Sequence, residues 1–70
     1  MRFLIVIEKA ERGFSAYSPD LPGCVAAAAT RRGVEKAMRE AVEFHIEGLR
    51  EEGCRVPTSR SYSTYVEVPA

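Results

Sequence analysis

The chain has no tryptophan, one histidine and two cysteines, and although ten of its 70 residues are acidic, only Asp20 is an aspartate. Each shortage closes a route. Cys24 and Cys54 form no Cys-x-x-Cys pair, and with His45 the only histidine a structural zinc site lacks ligands, so no metal is expected. The apolar stretch after Met1-Arg2 is too short for a signal peptide, which points to a reduced, cytoplasmic protein. Two-metal hydrolysis needs several converging acids, and one aspartate with scattered glutamates does not supply them. Ten basic side chains cancel the ten acidic ones, so the net charge neither attracts a polyanion nor steers an acidic substrate. No apolar run approaches the length of about 20 residues that a membrane helix needs.

What is present is little core. A chain of this size hides only about 60% of the surface that its unfolded form exposes, and disulfides, a metal or oligomerisation usually make up the deficit. With the first two absent, a homo-oligomer, most simply a dimer, is the expected answer. No cofactor motif occurs, and none is expected to bind.

Phe3-Leu4-Ile5-Val6-Ile7 reads as a strand running into a polar hairpin loop, Glu8 to Gly13, with Gly13 at positive φ. Phe14-Ser15-Ala16-Tyr17-Ser18 alternates large and small side chains, which places Phe14 and Ala16 on one face and Ser15 and Tyr17 on the other. Pro19 ends it. Gly23 to Ala29 is ambiguous by propensity, since alanine favours helix while Cys24 and Val25 favour strand. Two prolines before it and a helix cap after it favour a third strand, whose small side chains let a helix cross closely. Thr30 reads as an N-cap, with the helix running from Arg31 to about Glu52 and Gly53 as the left-handed residue past its end. Val34, Ala37, Met38, Ala41, His45 and Leu49 make its apolar stripe, broadened by Val42, Phe44 and Gly48. Glu35–Arg39, Lys36–Glu40 and Arg39–Glu43 stand at ion-pair spacing on the other face, while Arg31-Arg32 and Glu51-Glu52 oppose the helix dipole. Tyr62 to Val68 alternates again and reads as a returning strand. The expected fold is α+β, a single small domain over residues 1–70 in the order β-β-β-α-β, an antiparallel-rich sheet with one long helix packed on one face. The other face is open, a natural interface.

No catalytic set emerges. His45 is the one side chain suited by type to acid-base work, but a lone histidine on a packing stripe more often bonds a backbone carbonyl than moves a substrate proton, and no acid or nucleophile is spaced to orient it. Cys54 follows a helix C-terminus, whose negative dipole end does not activate a thiol as a nucleophile. Glu8 and Glu67 could approach on neighbouring strands, though an exposed pair is the plainer reading. Tyr17, Tyr62 and Tyr65 lack the basic groove that base stacking requires and suit cross-strand or interface packing.

Tyr17-Ser18-Pro19-Asp20-Leu21-Pro22-Gly23-Cys24 resembles the corner signature of HicB-type antitoxins, followed in register by Thr30, Glu40-Ala41, His45-Ile46-Glu47, Glu52-Gly53 and Val56-Pro57. The resemblance implies a partial RNase H-like fold without hydrolysis, and as partner a small mRNA-cleaving toxin of the HicA type, which the antitoxin binds and blocks. Many members of that family add a DNA-binding module. None is expected within these residues, nor is DNA binding through this chain alone. Arg32 and Gly33 depart from the acidic first turn common in the family. The surface around the corner, Tyr17, Asp20, Leu21, Pro22 and Gly23, is the expected partner-binding site, with Thr30, His45 and Gly53 structural. Asp20 is read as a turn residue capping nearby N–H groups. Two other functions fit the residues: an interaction module of the same fold with no toxin partner, and a metal-dependent nuclease relic.

Overall fold

A computed structural model describes all residues 1–70. Three antiparallel strands, β1 (Val6–Lys9), β2 (Phe14–Tyr17) and β3 (Val25–Ala28), precede one helix, α1 (Arg31–Glu51). The class and the β-β-β-α order are those expected from the sequence. The sheet order is β1-β2-β3, leaving β1 and β3 as edges.

The first strand sits further along the chain than its apolar run. Its ladder to β2 pairs Val6 with Tyr17 and Lys9 with Phe14, and the Ala10 N–H donates to the Gly13 carbonyl at 2.9 Å, so the turn is four residues and Glu8 and Lys9 belong to the strand. Gly13 has φ of 89°, the left-handed conformation that favours glycine. Lys9 sits over the ring of the residue opposite it, its ammonium 5.3 Å from the Phe14 centroid, close enough for cation–π attraction.

Period-2 alternation then sorts the faces. Ile7, Ala16 and Ala26 lie abreast, as do Lys9, Phe14 and Ala28, on the helix side. Val6, Tyr17 and Val25 lie abreast on the open side. The buried hydrophobic residues are five, Ala16, Leu21, Cys24, Val34 and Met38. So small a core contributes little stability of its own.

The helix ends as its sequence dictates. The Thr30 hydroxyl accepts from the Gly33 N–H at 2.9 Å. At the far end Gly53 N–H donates to the Arg50 carbonyl and Cys54 N–H to the Leu49 carbonyl, the paired bonds of a Schellman closure, with Gly53 at φ 73°. One ion pair forms along the helix, Arg31–Glu35 at 3.3 Å, and not the three that the spacing suggests. Glu35 turns back to the first turn, where Arg31 is the unfavourable charge, and both side chains are exposed enough that the pair is worth only tenths of a kcal/mol, roughly.

Where α1 rests follows from side-chain size. It packs most heavily over β3, less over β2 and least over β1, because Ala26 and Ala28 let it approach while Phe3, Ile5 and Ile7 hold it off. Val34 and Met38 are buried there. Phe44 is not in the packing stripe as expected but 79% exposed. It lies about 120° from Met38 on the helical wheel, past the flank of the buried arc.

The returning strand expected over Tyr62–Val68 is the main difference. No element follows α1, and no backbone–backbone hydrogen bond reaches beyond Cys54. Tyr65, Val66 and Val68 are 98%, 81% and 79% exposed. A strand forms only where an edge pairs with it and a surface covers its apolar face, and within one copy this segment meets neither.

Candidate functional site

The corner between β2 and β3 is built from three backbone bonds: Leu21 N–H to the Ser18 carbonyl, Cys24 N–H to the Leu21 carbonyl, and Ser18 N–H to the Cys24 carbonyl. Pro19 and Pro22 stiffen it, and Gly23 at φ 81° reverses the chain. Buried Ser18 is satisfied by donating its hydroxyl to the Leu4 carbonyl at 3.1 Å, extending the β1–β2 contact past the ladder. Leu21 plugs the core and is fully buried.

That burial divides the five residues expected to bind a partner. The Leu21 side chain cannot reach another molecule and instead holds the corner's shape. Pro22 and Gly23 are exposed on the corner, and Tyr17 is 42% exposed. Tyr17 belongs to the open sheet face, abreast of Val6 and of Val25, which is 64% exposed. The corner and this apolar row form one continuous candidate surface.

Asp20 caps N–H groups, but distant ones. Its Oδ2 accepts from the backbone N–H groups of Arg60 and Ser61, both at 2.9 Å, and its Oδ1 accepts from the Ser61 hydroxyl at 2.9 Å. The Ser61 and Arg60 N–H groups hold its carboxyl below the usual carboxylate range, outweighing the opposing effect of desolvation. This clasp ties the corner to the segment after the helix, forty residues on. Nothing in the local pattern of Arg60-Ser61 marks them as its other half; a polar turn has too many candidate donors.

The other candidates are not gathered into a reactive set. His45 is half-buried on α1, lining a hollow of about 370 Å³ beside the β3 edge with Cys24, Phe44 and Leu49. Burial pushes the Cys24 thiol up, leaving it protonated and a poor nucleophile near neutrality. Both Asp20 oxygens are engaged by the clasp. No three His, Cys, Asp or Glu side chains converge as metal ligands would. No helix is long and apolar enough to cross a membrane.

The family model described as a HicB_like antitoxin of bacterial toxin-antitoxin systems matches residues 3–70. The chain belongs to the HicB-like antitoxin family. One curated relative is an uncharacterized 14.9 kDa protein in the rep-hol intergenic region of Haemophilus phage HP1 (strain HP1c1), 36% identical over 69 residues. The match takes in 99% of this chain and 52% of that protein, so the chain spans about half the length of this relative. Among solved structures, a chain of a HicA3 and HicB3 toxin-antitoxin complex is 35% identical, with a TM-score of 0.68 over 83% of this chain and 72% of that one. The fold of this chain is thus shared with a component of a solved toxin-antitoxin complex.

Proposed function

We propose that this chain is a non-catalytic antitoxin that binds a small, mRNA-cleaving toxin of the HicA type and covers its active surface, acting in the cytoplasm as a homodimer. The observation that carries this reading is the 35% identity and shared fold with a chain of a HicA3 and HicB3 complex. The geometry supports it. The open sheet face offers Val6, Tyr17 and Val25 in a row beside a corner stiffened by prolines, a rigid apolar patch rimmed by polar groups, which suits protein recognition. The small core gives the chain reason to assemble.

The test is co-expression with the reading frame that neighbours its gene. Growth arrest by the neighbour, relieved by this chain and accompanied by co-purification, is the expected result. Tyr17→Asp and Val25→Asp should each weaken the complex by tenfold or more, about the loss of one anchor residue, with the circular dichroism spectrum unchanged. A neighbour that neither arrests growth nor binds would overturn the proposal.

A further inference from the structure

Because α1 leans toward β3, it leaves a groove of about 420 Å³ on the other side, between the β1 edge and the helix. Phe3, Ile5 and Ile7 form one wall, and Met38, Val42 and Ile46 the other. β1 pairs only with β2, so the backbone groups along its outer side have no strand partner. An open edge above an apolar trough is the arrangement into which a strand inserts.

The same molecule carries an unpaired strand-like segment. In Tyr62-Ser63-Thr64-Tyr65-Val66-Glu67-Val68, alternation puts Tyr62, Thr64, Val66 and Val68 on one face and Ser63, Tyr65 and Glu67 on the other. Residues 64–68 span about 16 Å as a strand, the same length as Phe3–Ile7. The Asp20 clasp fixes the root of this segment at Arg60-Ser61. Ser61 to Ser63 run beside Arg2 to Leu4, and from Tyr65 on the residues leave the body, so that the molecule reaches 50 Å along its longest axis. Groove and segment are complementary, and both are unfilled in one copy. Two copies related by a twofold axis can fill both at once.

We propose that residues 64–68 of one copy add as a strand to the β1 edge of a second copy, reciprocally, with Val66 and Val68 seated in the groove between β1 and α1. This rests on the homodimer reading above and specifies its interface. It differs from toxin recognition in location, since the corner and the open sheet face stay free. The β3 edge is the poorer acceptor, because Gly23, His45, Gly48 and Glu52 make up nearly half of the lining of the hollow beside it, whereas the β1 groove is apolar but for Glu35 and Arg39 at its rim.

Paramagnetic labelling tests this between copies. A chain carrying Cys54→Ser and Glu67→Cys, spin-labelled at position 67 on the outward face, is mixed with unlabelled, ¹⁵N-enriched Cys54→Ser chain and allowed to exchange. The expected result is broadening of the Ile5 and Ile7 amides of the enriched chain, a solution mass of a dimer, and conversion to monomer by Val66→Asp/Val68→Asp but not by Tyr65→Asp. A monomeric mass for the unsubstituted chain overturns the proposal. A dimer without such broadening also overturns it, and if that dimer still binds the toxin, the antitoxin reading survives. Broadening in a chain that binds no toxin would sink the antitoxin reading and leave strand exchange standing.

Discussion

Phe14–Tyr17 and Tyr62–Val68 carry the same kind of pattern, aromatic and β-branched residues alternating with small polar ones, yet only the first is a strand. β2 is delivered to a partner on each side, by a four-residue turn before it and by the proline corner after it, and Ala16 within it is 3% exposed. The later segment is delivered by a clasp to the margin of the sheet, where no second strand of its own copy meets it. Alternation fixes which side chains share a face; the connections decide whether an edge is within reach.

The sharpest way to break the comparison is to empty the part of the molecule that β2 helps enclose. Met38→Ala and Leu21→Ala should each cost about 2–5 kcal/mol, because both side chains are fully enclosed and the cavity cannot collapse under a stiff corner. Urea unfolding followed by circular dichroism measures this, and losses below about 1 kcal/mol would mean the core is looser than its burial indicates. Removing the helix ends comes next. Thr30→Ala should cost about 1 kcal/mol through loss of the bond from Gly33 N–H. Gly53→Ala should cost a similar amount, about 1 kcal/mol, by forcing a Cβ into a left-handed residue.

These caps were legible in the sequence because each is completed within a few residues: Thr30 with Gly33, Gly53 with Arg50. The corner was legible for the same reason, although Leu21, expected at the partner-binding surface, is buried beneath it. What was not legible depends on placement in three dimensions. Phe44 is apolar and near the stripe, but its exposure follows from how far α1 is rotated and drawn toward β3. The residues that answer Asp20 lie forty positions on, where the chain could have presented any of several polar groups. Of the candidate surface, Tyr17, Asp20, Pro22 and Gly23 are named by the sequence pattern, whereas Val6 and Val25 emerge only from the register that sets them beside Tyr17.

Smaller effects sharpen the contrast from the other side. Phe44→Ala and Tyr65→Ala should change the stability of a dilute, monomeric chain by no more than about 0.5 kcal/mol, since their side chains are mostly in water already. A loss for Val66→Ala that grows with protein concentration would indicate that the segment is buried on assembly.

The least effect on global unfolding, and the most local one, is expected at Asp20. Its carboxylate is favoured in the folded chain by the Ser61 and Arg60 N–H groups, so its folded pKa lies below its unfolded one. The sign follows: the contribution is complete above the ordinary carboxylate range and is lost as pH falls through the lowered folded value. At neutral pH, Asp20→Ala should therefore abolish exchange protection of the Arg60 and Ser61 amides while leaving that of α1 unchanged. Acidification should remove the same protection from the unsubstituted chain and add nothing in Asp20→Ala, with each rate taken relative to the intrinsic rate at that pH. Protection that survives in Asp20→Ala would mean that contacts along Arg2 to Leu4, where Ser61 to Ser63 also lie, hold the segment instead of the carboxylate.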